Sequence, residues 1–384
     1  MHARGFRTRR SLSRLQYRVD VTEPIRIGVA GYGIVGRRRH ACIEETEGLE
    51  VVAVCDRNPK AMASLPRGIR SHVDYQSLLH EDLDAVFVCM SNDMTAAVTV
   101  AALGRGLHVF CEKPPARTME ELAEVIMAER ERPDLRLMYG FNHRYHESVE
   151  DALQIVRSGE LGDVLSLRGV YGKSQLVTFD QPDWRTSREI AGGGVLLDQG
   201  IHMVDLIRLF GGEFDEVHSF VSNGHWGYDV EDNAYALMRT PSGVVASVTS
   251  SATQWRHQFS LEVTLSRGSL ILGGILSGSK SYGSETLTVV RANPTRDSGD
   301  PREQMTRYNE DASWLKEVTA FRNALREGRP IRSGSSLDAL RTLGLVYEIY
   351  FQDARWRDRY GIRDPREVVT SLDLDLEAGH DGSE

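Results

Sequence analysis

Apolar residues in the first third of the chain form short runs that alternate with amphipathic segments. The runs are rich in valine and isoleucine, the segments between them have helical periodicity, and the connections are short. Such alternation is typical of a parallel sheet wrapped by helices on both faces. We therefore predict a doubly wound α/β domain over residues 23–140, with strands at 25–30, 50–55, 84–90, 107–111 and 136–139.

The pattern changes beyond residue 140, where strand-like runs with alternating apolar and polar positions predominate. These runs cover residues 164–171, 216–221, 233–239, 244–250, 259–265 and 287–290. Turn signals such as Pro241-Ser242-Gly243 separate the later runs, which favours an antiparallel meander. Amphipathic helices are predicted at 311–327 and 336–352. We predict an α+β domain with a large open, mainly antiparallel sheet over residues 141–356.

Charge is distributed unevenly along the chain. The net charge is -9, although six arginines lie within the first 20 residues. We predict a basic, disordered leader over residues 1–22 and a polar tail over residues 357–384. The acidic body argues against a nucleic-acid partner. No apolar run approaches the roughly 18 residues that a membrane helix needs, so no membrane association is expected.

The four cysteines are Cys42, Cys55, Cys89 and Cys111, and none of them forms a close pair in sequence. They lie in or beside apolar runs, which is typical of reduced thiols in the cytoplasm. We expect a cytoplasmic protein with neither a disulfide nor a metal site.

A glycine-rich turn follows the first predicted strand. Gly31-Tyr32-Gly33-Ile34-Val35-Gly36 leads from that strand directly into a helix-forming segment. In this context Gly31 allows a tight turn, Gly33 lets the backbone approach a pyrophosphate, and Gly36 lets the helix lie close to the strand. The free N–H groups of the helix N-terminus would then hold the phosphates of a dinucleotide. An ordinary tight turn is the alternative.

An acidic residue, Asp56, ends the second predicted strand. A carboxylate at this position accepts hydrogen bonds from the adenosine ribose hydroxyl groups, which favours NAD over NADP. Arg57 comes next and could stack on adenine or meet a 2′-phosphate, so NADP remains an alternative.

Two further segments follow predicted strands of the same sheet, Ser91-Asn92 and Glu112-Lys113. Ligands of such sheets lie beyond the carboxyl ends of the strands, so we expect both segments to face the cofactor. A lysine after a strand is also commonly a solvated surface residue, which is the alternative for Lys113.

A further group of candidate site residues lies in the second domain, where a helix is predicted from Val195. Asp198, His202 and Asp205 then stand at positions i, i+4 and i+7 and project from one face. Carboxylates and an imidazole on one face suit proton transfer if they line a cleft. A solvated polar stripe is the alternative, and Asp205 fits an anchoring role better than a catalytic one.

Four separated motifs together resemble the Gfo/Idh/MocA oxidoreductase family. They are the glycine turn, Cys111-Glu112-Lys113-Pro114, Gly140-Phe141-Asn142-His143-Arg144-Tyr145, and Gly192-Gly193-Gly194 with Asp198-Gln199-Gly200-Ile201-His202. The resemblance runs from about residue 25 to residue 354. It implies a Rossmann domain, a second domain whose open sheet often serves oligomerisation, and a nicotinamide cofactor in the cleft between them.

The resemblance also implies roles for individual residues. Lys113 is carried over as the catalytic lysine, with Asp198 and His202 as the paired catalytic positions, and all three are expected to contact substrate. The resemblance adds Glu112, Lys113, Asn142 and Arg185 to the cofactor ligands named above. It adds Arg144 and Tyr145 as substrate ligands.

One position departs from the family pattern. Thr95 stands where members often carry a histidine, which weakens any assignment of substrate by analogy. Arg185 follows Trp184, and a simple stack of the arginine on its own neighbour is the alternative to a ligand role.

Hydride transfer from a secondary alcohol requires a group that accepts the hydroxyl proton. Neutral His202 can accept it, and the Lys113 ammonium can stabilise the reacting oxygen. The sequence thus predicts an NAD(P)-dependent dehydrogenase or reductase of a sugar, a nucleotide-linked sugar or a cyclitol. The alternatives are an NAD-dependent glycosidase and a non-catalytic cofactor-binding regulator. Burial of the open sheet face predicts a homodimer or homotetramer.

Overall fold

The computed structural model describes residues 23–175, 184–278, 281–293, 295–296 and 299–372. The predicted leader and the end of the predicted tail lie outside these described residues. Two sheets organise the described chain, one with six strands and one with eight.

The first sheet is parallel throughout and has the strand order β3-β2-β1-β4-β5-β6. Its strands are β1 Ile25–Ala30, β2 Leu49–Cys55, β3 Arg70–His72, β4 Ala85–Val88, β5 His108–Glu112 and β6 Leu137–Gly140. The helices of this part are α1 Ile34–Glu44, α2 Tyr75–Leu78, α3 Asn92–Gly104 and α4 Met119–Arg130. The predicted doubly wound domain is confirmed. The prediction missed β3, because this short edge strand carries no apolar run.

The second sheet has the order β14-β13-β12-β11-β7-β10-β9-β8, and only its β7 and β10 are parallel neighbours. Its strands are β7 Val164–Gly172, β8 Glu216–Ser222, β9 Asn233–Arg239, β10 Val245–Ser251, β11 Gln258–Leu265, β12 Gly268–Gly273, β13 Glu285–Arg291 and β14 Glu303–Tyr308. The predicted mainly antiparallel sheet is confirmed, with β12 and β14 as additional strands.

The helices that accompany the second sheet are α5 Glu147–Arg157, α6 Arg188–Ala191, α7 Ile201–Gly211, α8 Ser313–Glu327 and α9 Ser336–Gln352. Helix α8 crosses back to the first sheet. Its Phe321 lies edge-on to Phe87 and Phe110, with ring centroids 5.6 and 5.7 Å apart. The first sheet therefore has part of its hydrophobic cover supplied by a helix that we predicted as part of the second domain.

Two more helices follow where we expected the polar tail to begin. They are α10 Ala354–Tyr360 and α11 Pro365–Ser371, and both start with an aspartate cap. Trp356 and Leu372 are buried against the main core. The polar tail that we predicted from residue 357 thus contains α11 and most of α10, which the sequence did not indicate because the apolar residues here are too widely spaced to form a visible periodic pattern.

The stretch Arg188–Gly211 is long and apolar enough to cross a membrane by length and composition. In the fold, 89% of its most apolar window is buried inside the protein, as in a core helix. It packs beneath the second sheet and carries the residues of the candidate site.

Candidate active site

The glycine turn between β1 and α1 has one glycine that faces open space. A Cβ on Gly31, whose φ is +90°, would lie 2.3 Å from the Cys89 carbonyl oxygen, and one on Gly36 would lie 1.9 Å from the Gly31 oxygen. A Cβ on Gly33 would meet nothing within 4 Å among the described residues. Close contacts within the protein thus require glycine at positions 31 and 36. Nothing in the described protein requires glycine at position 33, so the close approach of a ligand would explain it.

The N-terminus of α1 is available for an anion. Gly33 precedes the helix, and no side chain caps it within the described chain. The N–H groups of the first turn, at Ile34, Val35 and Gly36, have no partner within the helix by geometry. The helix start is thus uncapped and lies beside an open glycine, an arrangement that can hold an anion, and the phosphate site stays a prediction.

Asp56 is held beside this turn. Its carboxylate accepts hydrogen bonds from the backbone N–H of Tyr32 at 2.9 Å and of Asn58 at 2.8 Å. The Tyr32 side chain points into the core, where its hydroxyl lies 2.5 Å from His40 Nδ1. Asp56 thus stands at the carboxyl end of β2 with its carboxylate oriented by backbone, and the following Arg57 is exposed.

The other predicted cofactor segments make tight contacts within the fold. Ser91 donates to Asp93 at 2.5 Å, and the Asn92 amide donates to the Ala191 carbonyl at 2.7 Å. Asn92 thereby joins the carboxyl edge of the first sheet to α6 of the second domain. Thr95, at the position of the family histidine, donates to the Ser91 carbonyl at 3.2 Å and is buried.

Glu112 belongs to a buried ion-pair cluster. Arg39 lies between the carboxylates of Glu112 and Glu317, at 2.6 Å from each. Burial raises the pKa of Glu317 to about 8 despite the attraction of Arg39. Glu112 is only 8% exposed, and its pair with Arg39 fixes the start of the segment carrying Lys113; its role as a cofactor ligand stays a prediction.

Lys113 projects from the end of β5 toward the helix that carries Asp198. Its ammonium donates to the Asp198 backbone carbonyl at 2.5 Å and lies 3.6 Å from the Asp198 carboxylate. Lys113 is therefore not a solvated surface residue, which was the alternative. It is a side chain of the first domain that contacts the helix of the second domain on which we predicted catalytic residues.

Three cations surround the Asp198 carboxylate. Lys113, Lys173 and Arg185 approach it at 3.6, 3.5 and 3.6 Å. Burial alone would raise the pKa of this carboxyl, but the three cations hold it well below its usual range. Asp198 is therefore a carboxylate throughout the neutral pH range, and it orders the cations around it.

The helix begins differently from our prediction. Residues Leu196–Gly200 form a π-helical turn before the regular α7. The Lys113 ammonium occupies the Asp198 carbonyl, which in a regular helix would accept from the N–H four residues on. The Glu231 carboxylate accepts from the N–H groups of Gly194 and Leu196 at 2.7 and 2.9 Å. The expectation of a regular helix from Val195 was therefore wrong over this turn.

His202 lies one turn further, inside the protein. Its ring stacks on that of His143, with centroids 3.8 Å apart and planes 12° apart. Burial, with the nearby Lys113 charge, lowers the pKa of His202 well below 6.5. Its Nδ1 has no hydrogen-bond partner in the described part of the chain. The imidazole is therefore neutral at working pH and able to accept a proton.

Arg144, which we predicted as a substrate ligand, forms ion pairs with two carboxylates inside the fold. Its guanidinium donates twice to the buried Asp205 carboxylate, at 2.6 and 2.7 Å, and once to Asp338 at 3.0 Å. Thr342 also donates to Asp205 at 2.9 Å. Arg144 thus ties α7 to α9 as a buried anchor, with Asp205 as its main partner, and its role as a substrate ligand stays a prediction.

Tyr145, also predicted as a substrate ligand, packs partly buried against the core. Its ring packs against the hydrophobic cluster around Val318 and Phe321, and burial raises the pKa of its hydroxyl. Ser333 forms a hydrogen bond with that hydroxyl. The tyrosine therefore belongs to the contact between α8 and the first sheet.

Asn142 and Arg185 remain near the cleft. The Asn142 amide donates to Ser313 at 3.1 Å, and its oxygen lies 3.3 Å from His143 Nδ1. The Arg185 guanidinium stacks over Trp184 at 4.4 Å while it approaches Asp198. Arg185 therefore stacks on its neighbour and contacts Asp198 at once, and its role as a ligand stays a prediction.

Sequence reasoning missed two residues that complete the centre, Lys173 and His143. Lys173 directly follows β7, is 4% exposed, and has its pKa lowered by burial. Lys173 could have been noticed because it follows a strand. Its separation of 25 residues from Asp198 in sequence gave no indication that the two side chains pair. His143 belongs to the motif Gly140-Phe141-Asn142-His143-Arg144-Tyr145, but its position in the sequence relative to His202 did not indicate that the two rings stack.

The two parts of the chain match known family models. Residues 25–141 match the oxidoreductase family with an NAD-binding Rossmann fold, and residues 149–271 match the GFO/IDH/MocA C-terminal domain.

Among curated relatives, D-glucoside 3-dehydrogenase of Escherichia coli is 32% identical over 63% of this chain and 75% of its own length. The 1,5-anhydro-D-fructose reductase of Ensifer adhaerens is 31% identical over 68% and 79%. Levoglucosan dehydrogenase of Pseudarthrobacter phenanthrenivorans is 28% identical over 57% of this chain, and the match spans 63% of that enzyme.

Solved structures share the fold over nearly their whole length. A levoglucosan dehydrogenase in complex with NADH superposes with a TM-score of 0.77 at 23% identity, covering 87% of this chain and 98% of the other. A 3-ketoreductase from Actinomadura kijaniata in complex with NADP and TDP-benzene has a TM-score of 0.73 at 25% identity, covering 84% and 96%.

Proposed function

The chain belongs to the GFO/IDH/MocA family of oxidoreductases, and from this we propose that it transfers a hydride between a nicotinamide cofactor and a secondary alcohol or ketone of a sugar, a nucleotide-linked sugar or a cyclitol. The main observation behind this proposal is that Lys113 of the first domain contacts Asp198, one turn before the buried, neutral His202. The relatives named for D-glucosides, levoglucosan and 1,5-anhydro-D-fructose support a cyclic sugar as the substrate.

The cofactor would be held by the glycine turn. The open position at Gly33 and the uncapped start of α1 suit its phosphates, and Asp56 suits its adenosine ribose. Because this carboxylate would repel a 2′-phosphate, we propose a preference for NAD. The bound nicotinamide accepts or supplies the hydride, and the protein places the substrate and handles the proton.

His202 would accept the proton that the substrate hydroxyl loses as its carbon is oxidised. A buried neutral imidazole suits this step, since its protonated form gains stability from the Asp198 carboxylate nearby. In the reverse direction the same nitrogen would return the proton to the carbonyl oxygen.

Lys113 would stabilise negative charge on the reacting oxygen. Its ammonium is already fixed by the Asp198 carbonyl, so it requires little reorganisation when that charge develops. Asp198 in turn holds Lys113 and Lys173 in place and has oxygens that can accept from a sugar hydroxyl.

The test is steady-state turnover of the full-length protein with NAD and NADP against methyl D-glucoside, levoglucosan and myo-inositol. We expect reduced nicotinamide to accumulate in step with oxidised sugar, and faster with NAD. His202→Ala should lower kcat by a factor of about 100 to 10,000 while the Kd for NAD stays unchanged. Sugar product without net reduced cofactor would favour the glycosidase alternative. Cofactor binding without any turnover across the panel would favour the regulator.

We also propose that the outer face of the second sheet is covered by another copy of the chain. Phe220, Tyr235, Leu237 and Val245 leave 78, 46, 53 and 38% of their surface exposed on neighbouring strands β8, β9 and β10. Exposed apolar side chains clustered on three neighbouring strands are typical of an interface. Light scattering should give the mass of a dimer or tetramer, and Leu237→Glu should shift it toward the monomer. A wild-type monomer at micromolar concentration would contradict the proposal.

A further inference from the structure

A cavity of about 200 Å³ lies outside the candidate active site, between the start of α4, the Gly192 turn and the C-terminal helices α10 and α11. Neither Lys113 nor His202 lines it. Its walls combine charged groups with an apolar side formed by Tyr347, Ile362 and Val368. The helices that we failed to predict thus close a second, separate cavity.

Most charges around this cavity are paired with each other. Arg117 pairs with Glu121, Arg363 lies 3.5 Å from Glu120, and Arg366 neutralises the lining residue Asp364 at 3.2 Å. These pairs leave little net charge on the rim of the cavity.

Arg188 is the exception. Its guanidinium is packed by the rings of Tyr350, Trp356 and Tyr360, at 5.9, 5.8 and 4.4 Å. Within the described ranges, its buried Nη1 has no hydrogen-bond partner, and its guanidinium forms no ion pair with a carboxylate. The aromatic rings hold the cation in place but provide no hydrogen-bond acceptor.

Tyr360 adds a second unused donor. Its hydroxyl oxygen is buried and has no partner among the residues that the structure describes, and the residue lines the same cavity as Arg188. Buried polar groups are normally hydrogen-bonded, so two such donors in one cavity indicate an absent acceptor.

We propose that this cavity is an effector site for a small organic carboxylate. A planar carboxylate matches the fork of the Arg188 guanidinium and can also accept from the Tyr360 hydroxyl. The apolar wall at Ile362 and Val368 would contact the remainder of the ligand. Among the described residues, Arg188 is the one cation lining the cavity that has no carboxylate partner, which suits one negative charge better than the two charges of a phosphate dianion.

The site adjoins the turn that leads into the catalytic helix. Gly192 lines the cavity, and the neighbouring Ala191 carbonyl accepts from Asn92 of the first domain. Glu231, which binds the N–H groups of Gly194 and Leu196, is influenced by the Arg188 charge. A carboxylate bound to Arg188 would therefore alter the electrostatic balance that fixes the start of the Asp198 segment. The effector role rests on the proposed function, whereas the binding itself does not.

The binding test is calorimetry on the full-length protein with benzoate, with its neutral isostere benzamide, and with inorganic phosphate. We expect one saturable benzoate site per chain, with benzamide and phosphate each at least about tenfold weaker. Tyr360→Phe removes one donor without removing the ring and should weaken benzoate several-fold. Arg188→Met should weaken it by at least about tenfold, and Arg188→Lys by less.

Two controls separate this site from the active site and from misfolding. His202→Ala should bind benzoate as the wild type does, although it lacks turnover. Circular dichroism shows whether Arg188→Met folds. If Arg188→Met does not fold, the benzoate affinity of Tyr360→Phe still tests the site. Equal affinity for benzamide, tighter binding of phosphate, or benzoate affinity unchanged in Tyr360→Phe would each overturn the binding site.

Steady-state kinetics with and without benzoate tests the effector role. Saturating benzoate should change kcat at least twofold without competing with the sugar, and the concentration that gives half the effect should rise in Tyr360→Phe. Binding without any change in kcat or KM would overturn the effector role. An inactive protein would contradict the proposed function, while the calorimetric result would still decide the binding site.

Discussion

His143 and His202 stack face to face, with ring centroids 3.8 Å apart and planes 12° apart. The stack orients a base whose Nδ1 has no hydrogen-bond partner in the described chain. Burial lowers the pKa of both imidazoles, and proximity of each to other cations lowers it further. Two touching imidazoles cannot both carry charge inside a protein, so a neutral His143 allows His202 to take up the one proton that catalysis requires.

We expect His143→Ala to move the acid limb of the pH profile of kcat/KM to higher pH. Removal of the ring admits water beside His202, which raises the pKa of His202 toward 6.5 and leaves less of the neutral base at low pH. Loss of the stack should also lower kcat about tenfold or more through misplacement. His143→Phe keeps a ring in the stack and should retain most of the activity. A profile that is unchanged in His143→Ala would show that the stack has no such role.

The balance of charge at Asp198 yields a second expectation, for stability. Asp198→Asn leaves Lys113, Lys173 and Arg185 without their shared carboxylate, and the free energy of unfolding should fall by about 2 kcal/mol. The double variant with Lys173→Met removes one of the repelling cations and should recover part of the loss. Urea unfolding of the two single variants and the double variant measures this coupling. Strictly additive losses would argue against the shared carboxylate.

Much of the fold follows from local sequence pattern. The strands of the first sheet are continuous apolar runs because both of their faces are buried, and the glycine turn joins β1 to α1 at a spacing that is readable from sequence. Lys113 was found because it directly follows a strand. The short β3 and the helices after residue 353 lack such a pattern, since their contacts depend on a few isolated side chains.

The side-chain partners within the site were less accessible to sequence reasoning. Arg144 lies in a conspicuous polar motif, but its partner Asp205 is 61 residues away, so sequence spacing gave no sign that the pair is buried together. Lys173 and Asp198 meet only after β7 and the catalytic helix have packed. The π-helical turn likewise depends on contacts from Lys113 and Glu231, which come from other elements.

The buried ion pair between Arg144 and Asp205 leads to a third expectation. Arg144→Met leaves the buried Asp205 carboxylate without its bidentate partner, and the free energy of unfolding should fall by about 3–5 kcal/mol. The KM for the sugar should stay within about twofold in the fraction that folds, because the guanidinium is committed to α7 and α9. Chemical denaturation and steady-state kinetics measure the two effects. A raised KM at unchanged stability would restore the role of substrate ligand.

The glycine turn offers a matched pair of substitutions. Gly33 has φ near -72° and open space around its Cβ position, so Gly33→Ala should leave the free energy of unfolding nearly unchanged. It should nevertheless raise the Kd for NAD about tenfold or more, because the methyl group occupies the place of the phosphates. Gly36→Ala places a Cβ 1.9 Å from the Gly31 oxygen and should destabilise the fold itself. Wild-type NAD affinity in a folded Gly33→Ala protein would contradict the proposed phosphate position.

His108 sets a pH dependence of stability that is independent of the active site. Its Nδ1 accepts from the Arg136 N–H at 3.0 Å, and burial together with the Arg136 charge lowers its pKa from 6.5 to about 4. The unfolded chain binds the proton more readily, so this contribution is fully present above about pH 6.5 and is lost as the pH falls toward 4. The loss amounts to about 3 kcal/mol, from roughly 1.4 kcal/mol for each unit of pKa difference. His108→Asn keeps an acceptor but does not titrate, so the gap between the wild-type and variant unfolding free energies should change by that amount between pH 7 and pH 4. Parallel curves across this window would show that His108 does not titrate with a lowered pKa.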